Sequence, residues 1–136
     1  MSALQLRISD AAYEISVDDT VLARLPGGAS TLLAGAGERV RELDVETAIE
    51  RAEDWLMPSS TSFHAFTLVL PEGAGRLAPW FGSDASVTPE QVECVFNRVV
   101  DDVAAGRAAQ RDAVADLVVL RELIHHGALT AVVFRS

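Results

Sequence analysis

The sequence predicts an α+β fold, in which a small, mostly antiparallel sheet of four to six strands carries three main helices. Two runs near the amino terminus, 4–8 and 13–17, alternate apolar and polar residues with the period of a strand. Two helical patterns then follow each other at about 88–126, and an apolar run at 129–134 closes the chain. A length of 136 residues, without a linker or an internal repeat, favours one domain spanning 1–136.

The amino-terminal runs predict a β-hairpin. Leu4, Leu6 and Ile8 share one face of the first run, and residues 13–17 repeat the pattern after a four-residue turn. Residues 18–25 are ambiguous, because they fit either one helical turn or a third strand. Residues 31–34, beyond the Pro-Gly-Gly at 26–28, are expected to form a short strand.

The middle of the chain predicts a helix, a buried strand and a long loop. Asp44 is the expected N-cap of a helix whose apolar face runs to Leu56 and which Pro58 stops. Residues 63–70 read as a strand that is covered on both faces. Residues 71–87 then form a glycine-containing loop, and a loop of this length is often functional.

The third quarter of the chain predicts an αα-hairpin. Thr88, Pro89 and Gln91 form a capping-box signature, and Gly106 marks the end of that helix. The next helix, about 109–126, is apolar around most of its circumference and is therefore expected to be central. The hairpin would return His125 and His126 to the end of the fold where loop 71–87 starts. It would also make strands 63–70 and 129–134 antiparallel.

Composition excludes several classes of function. Eleven basic residues, all of them arginine, face 20 acidic ones, and the formal charge of −9 argues against nucleic acid and anionic membranes. The absence of lysine excludes Schiff-base chemistry and a Walker A loop. Neither a signal peptide nor a membrane-spanning run is evident, and one cysteine fits a reducing compartment, so we expect a cytoplasmic protein. The abundance of alanine and arginine with no lysine indicates a GC-rich bacterial genome.

The helix end at 122–126 is the first candidate site. Glu122 and His125 are spaced i, i+3, as two metal ligands on one helix would be. His126 lies one turn beyond Glu122 and would also be close to it. The alternative is that both histidines only favour the negative end of the helix dipole, ahead of a glycine cap at Gly127.

Loop 71–87 supplies the other candidates. Residues 73–78 match G-x-G-x-x-A after a strand, but Pro79 stands where a dinucleotide-binding helix should continue. Arg76, with the first turn of the Thr88 helix, could hold an anion. Trp80 is a candidate aromatic anchor for a partner, although burial under the loop is equally compatible.

Four further side chains have mainly structural interpretations. Cys94 reads as a semi-exposed thiol and His64 as a packed strand residue. Asp112 and Asp116 lie four residues apart on the apolar helix, where Asp116 is expected to pair with an arginine such as Arg98 or Arg107, or to mark a site.

Two functions are compatible with these observations. The first is a non-enzymatic interaction module, such as an adaptor, a chaperone or an immunity-like protein, which forms a homodimer and binds another, basic protein without a cofactor. The alternative is a small enzyme or a ligand- or metal-binding domain. Its site would combine the loop with the helix end, through Arg76, Trp80, Asp84, Glu122, His125 and His126.

Overall fold

The fold is built on a six-stranded mixed sheet. The computed structural model describes residues 3–63, 67–82, 86–107 and 109–135. The strands are β1 (Leu4–Ile8), β2 (Ala12–Val17), β3 (Thr20–Pro26), β4 (Thr67–Leu70), β5 (Ser86–Val87) and β6 (Ala131–Phe134). Their order across the sheet is β3-β2-β1-β4-β6-β5. The amino-terminal hairpin is present, and residues 20–26 form the third strand beside it.

Five α-helices occur in the described residues. They are α1 (Ala29–Leu32), α2 (Glu42–Leu56), α3 (Ala78–Phe81), α4 (Pro89–Ala104) and α5 (Arg111–Gly127). Helix α5 is buried along most of its length and contacts both α2 and α4. The main core therefore lies between this helix layer and the sheet. No helix in these ranges is long and apolar enough to cross a membrane.

The predicted α+β arrangement, a mostly antiparallel sheet with three helices, is wrong, and the fold is instead α/β. Strand β1 pairs with β4 in parallel, and β4 pairs with β6 in parallel. The error in the direction of β6 comes from the two-residue strand β5, which the sequence pattern does not reveal. Strand β5 runs antiparallel to β6, so the chain crosses the fold once more before the helical hairpin than we expected. That additional pass reverses the direction of β6.

Residues 31–34 do not form the predicted strand, because the short helix α1 spans Ala29–Leu32. Its start is held by the Thr31 hydroxyl, which donates to the Pro26 carbonyl at 2.5 Å. Its end is held by Arg51 of α2, which donates to the carbonyls of Leu32 at 3.0 Å and Ala34 at 2.8 Å. A distant side chain therefore satisfies the carbonyls that a four-residue helix leaves unpaired.

The helix starts follow capping chemistry. Helix α2 begins at Glu42, earlier than predicted, and Asp44 accepts a 2.9 Å hydrogen bond from the Arg41 backbone N–H instead of acting as the N-cap. At α4 the Gln91 N–H donates to the Thr88 hydroxyl at 3.1 Å, and the Thr88 N–H donates to the Gln91 side chain at 2.8 Å. This is the reciprocal capping box that the sequence indicates.

Candidate functional site

A cleft of about 460 Å³ opens at the carboxyl ends of β1 and β4, beside the first half of α5. Open sheets with parallel strands bind ligands at this edge, because the loops that leave the strands diverge there. We refer to it as the carboxylate cleft, since Asp10, Glu72 and Asp116 line it. The complete lining is Leu6, Ile8, Ser9, Asp10, Leu70, Glu72, Gly73, Ala74, Gly75, Arg76 and Asp116.

The β1–β2 turn presents Asp10 to this cleft. The Ser9 N–H donates to the Ala12 carbonyl at 3.0 Å, and the Ala12 N–H donates to the Ser9 hydroxyl at 3.2 Å. These two bonds close the turn locally. The Asp10 side chain therefore stands out from the turn and is 99% exposed.

The loop after β4 delivers Arg76. Gly75 begins a 3-10 turn over Gly75–Leu77 with φ of +52°, in the left-handed region that glycine tolerates best. Leu77 is fully buried and anchors this turn to the core. The preceding residue, Arg76, is thereby directed towards α5.

Arg76 and Tyr13 converge on Asp116. The Arg76 Nε and Nη2 atoms donate to the two Asp116 carboxylate oxygens at 2.7 and 2.9 Å. The Tyr13 hydroxyl donates to Asp116 Oδ1 at 2.6 Å. Arg76 Nη1 also lies 3.3 Å from Asp112 and 3.4 Å from Asp10. Asp112 and Asp116 can share one arginine because residues four apart lie on one helix face.

Burial and charge fix the protonation of this cluster. Burial raises the pKa of Asp116 above its ordinary value, and the hydrogen bonds from Arg76 and Tyr13 offset part of that effect. Burial, followed by the Asp116 charge, raises the pKa of Tyr13. The hydrogen bond to Asp116 is the main cause that raises the pKa of Arg76. Tyr13 therefore stays a donor and Arg76 stays a cation.

The other half of the sequence-predicted site lies at the opposite end of α5. Nine residues separate Asp116 from His125, which corresponds to about 14 Å along a helix axis. His125 does approach the start of α4, as its Nε2 atom lies 3.4 Å from Glu93. The two histidines do not approach Arg76, because β5 carries the chain from the loop end to the other end of the sheet before α4 begins.

At that end Arg121 joins two glutamates. Its Nε and Nη2 atoms donate to Glu93 at 3.0 and 3.2 Å, and its Nη1 atom donates to Glu122 at 2.8 Å. The Arg121 guanidinium also lies 4.3 Å from the centre of the Phe96 ring. Glu122 is buried and engaged in this network, and His126 is half-buried. Within the described ranges, no three His, Cys, Asp or Glu side chains come together as a metal site.

Of the remaining candidates, Trp80 does not line the carboxylate cleft. Trp80 lies in α3, where it is half-buried and lines a surface groove of about 250 Å³ with the exposed Cys94. Asp84 and His64 lie outside the described residues. Residues 73–78 form a turn and the start of α3 instead of the long helix that a dinucleotide fingerprint needs.

Asp10, Glu72 and Tyr13 belong to the candidate site but are not among the residues predicted from the sequence. The sequence did predict that Asp116 pairs with an arginine, but the partner is Arg76 instead of Arg98 or Arg107. One signal was present, since Asp10 and Glu72 each come within two residues of the end of an apolar strand. The two residues come to the same edge of the sheet because β1 and β4 are parallel, whereas the sequence predicted a mostly antiparallel sheet.

No family model matches the sequence, and no curated relative matches it either. The fold is nevertheless similar to solved structures from Aquifex aeolicus. The type II variant of its Ppx/GppA phosphatase matches with a TM-score of 0.71 and 14% identity, over 99% of this chain and 53% of that one. A second structure, described as the PPX-GPPA enzyme, matches with a TM-score of 0.68 and 10% identity, over 100% of this chain and 54% of that one.

A third structure, of the Ppx/GppA family member of the same organism, gives a TM-score of 0.64 and 11% identity over 99% of this chain. The chain spans about half the length of these solved structures. At such identities the similarity is one of fold. It contradicts the predicted non-enzymatic interaction module, since these neighbours are phosphatase-type enzymes, and agrees better with the alternative of an enzyme or ligand-binding domain.

Proposed function

We propose that this domain binds a phosphorylated ligand together with a divalent cation in the carboxylate cleft. The observation that carries the proposal is the convergence of Asp10, Glu72 and the Arg76–Asp116 pair at the carboxyl ends of two parallel strands. The similarity in fold to half of a Ppx/GppA phosphatase supports a phosphate ligand. Hydrolysis of a phosphoanhydride bond is the activity we propose for the complete site.

The charge of the cleft requires the cation. Three carboxylates and one guanidinium line it, which gives a formal charge of −2. A bare phosphate would be repelled by this lining, whereas its complex with Mg²⁺ carries less negative charge. Magnesium is commonly bound by one or two carboxylates together with substrate phosphate oxygens. Asp10 and Glu72 fit this requirement, because their side chains are 99% and 67% exposed and accessible from the cleft.

The other cleft residues act by positioning. Asp116 receives both Arg76 and Tyr13, so it holds the Arg76 guanidinium in one orientation. Arg76 Nη1 in turn lies 3.4 Å from Asp10 and restricts that otherwise exposed carboxylate. In this proposal Asp10 and Glu72 bind the cation, while the buried cluster behind them fixes the shape of the cleft.

The proposal is tested by calorimetric titration with inorganic pyrophosphate, with magnesium and in its absence. We expect binding only with magnesium, and a loss of at least about tenfold in affinity in Asp10→Asn and in Glu72→Gln. Asp54→Asn, an exposed carboxylate on α2, is the matched control and should bind as the unchanged protein does. Magnesium-independent binding, or equal affinity in Asp10→Asn, would contradict the proposal. Release of phosphate from the same probe measures hydrolysis.

Three expectations from the sequence stay predictions: the cytoplasmic location, the homodimer and a basic protein partner. The location is supported by the single free thiol of Cys94. Sedimentation of the purified chain tests the dimer independently of any ligand.

A further inference from the structure

A second pocket, of about 360 Å³, lies between the segment that precedes α2 and the link between α4 and α5. It is lined by Glu38, Arg39, Val40, Gly106, Arg107 and Ala109. Two guanidinium groups and one carboxylate line the pocket, and the Asp102 carboxylate binds one of the guanidiniums, so the local formal charge is 0, whereas the whole chain carries −9. The pocket is therefore less negative than the carboxylate cleft and shares no lining residue with it.

Arg39 is held in place by the backbone of the facing segment. Its Nη2 atom donates to the Gly106 carbonyl at 2.7 Å. Gly106 has φ of +76°, and a Cβ atom at this position would collide with the Arg39 guanidinium. A glycine is thus needed both for the turn and for the close approach of the arginine.

Arg107 is held from the other side. Its Nη1 atom donates to the Asp102 carboxylate at 2.8 Å, and its backbone N–H donates to the Asp102 carbonyl at 2.8 Å. A guanidinium carries five N–H donors, and the bonds described use one on Arg39 and one on Arg107. Both groups can therefore bind an anion without giving up the contacts that orient them.

We propose that this pocket binds a small organic phosphate monoester, separately from the carboxylate cleft and without a divalent cation. The phosphate lies between Arg39 and Arg107, because charge-assisted hydrogen bonds from guanidinium groups suit its oxygens. The organic part packs on the apolar side chains of Val40 and Ala109. Glu38 accepts a hydrogen bond from a hydroxyl or amino group of that part.

The test is a calorimetric titration of the full chain with adenosine monophosphate in the presence of EDTA, at low and at moderate salt. EDTA separates this site from the carboxylate cleft, whose proposed ligand needs magnesium. We expect saturable binding that weakens with salt, and a loss of at least about tenfold in Arg39→Ala and in Arg107→Ala. Arg24→Ala on β3 removes another exposed arginine, which does not line this pocket, and is the matched control.

Two further measurements distinguish binding from a merely structural role of the arginines. Gly106→Ala keeps both charges but displaces the Arg39 guanidinium, so it should weaken binding while thermal unfolding confirms that the variant is folded. Inorganic phosphate should bind more weakly than adenosine monophosphate, because it lacks the part that packs on Val40. An absence of binding, an equal loss in Arg24→Ala, or equal affinity for the two probes would overturn the proposal.

Discussion

The phenol of Tyr13 donates a 2.6 Å hydrogen bond to the carboxylate of Asp116, which lies 103 residues further along the chain. The bond joins strand β2 to helix α5, and both side chains are almost completely buried. Since Asp116 also binds Arg76, one carboxylate connects the hairpin, the central helix and the loop after β4. This buried carboxylate therefore fixes the elements around the carboxylate cleft relative to one another.

Removal of the Tyr13 hydroxyl should destabilise the whole domain. Tyr13→Phe keeps the ring, whose centre lies 6.3 Å from that of Trp55, but leaves Asp116 with one donor fewer. We expect a decrease of about 1–3 kcal/mol in the free energy of unfolding, as for a buried polar group that loses a partner. Urea unfolding measures it. In a cycle with Asp116→Asn the two effects should be non-additive, and additive effects would contradict the coupling.

The same residue gives a spectroscopic prediction. Tyr13 is the only tyrosine of the chain, so phenolate absorbance reports on it alone. Burial raises its pKa above the ordinary value of 10.0, and the unfolded chain therefore releases this proton at lower pH than the folded chain does. Stability must fall as the pH rises above about 10. We expect phenolate absorbance to appear together with the loss of circular dichroism, and ionisation within a folded chain would contradict the burial of this contact.

Arg76 should matter more for stability than Arg7, an arginine of β1 that pairs with Glu72 on the loop after β4. Arg76→Ala leaves the buried Asp116 carboxylate without its cation, and removal of one partner from a buried pair costs about 3–5 kcal/mol. The cost should fall towards the lower figure because the Arg76 side chain is 26% exposed. Arg7→Ala is the control, since its pair with Glu72 is exposed and should contribute less than about 1 kcal/mol. Equal effects in urea unfolding would refute this difference.

The sequence predicts those elements whose signals are local. Alternation identifies β1 and β2, and the capping box places the start of α4 at Pro89, because each depends on residues only a few positions apart. Helix α1 could not be predicted, since Arg51 completes its carboxyl end from another element. Strand β5 has two residues, too few for a period to appear.

The absence of β5 from the predicted fold also affected the prediction of which residues share the candidate site. Without β5, the direction of β6 is reversed and α5 is turned end for end relative to the loop after β4. His125 and His126 then appear beside Arg76, where the structure has Asp112 and Asp116. Because Asp116 is a charged residue on an apolar helix, the sequence predicts that it pairs with an arginine. Which arginine it pairs with depends on the topology, which the sequence pattern does not give.

The two glutamates that Arg121 binds have pKa values shifted in opposite directions. The hydrogen bond from Arg121 is the main cause that lowers the pKa of Glu93. Burial is the main cause that raises the pKa of Glu122, and a hydrogen bond with Glu53 acts in the same direction. Relative to the ordinary value of 4.5, ionised Glu93 stabilises the fold, whereas ionisation of Glu122 has a cost.

The two charge-removing variants should therefore respond to pH in opposite directions. The contribution of Glu93 is present above pH 4.5 and is lost as the pH falls through its lower folded pKa, so Glu93→Gln should be most destabilising near neutrality. The effect should stay below about 1 kcal/mol, because the Glu93 side chain is 38% exposed. Glu122→Gln should become more stable relative to the unchanged protein as the pH rises above 4.5, since it avoids the cost of ionising a buried carboxyl. Urea unfolding at a series of pH values measures both differences. If the stabilities of the two variants, each relative to the unchanged protein, changed with pH in the same direction, the opposite pKa shifts of Glu93 and Glu122 would be contradicted.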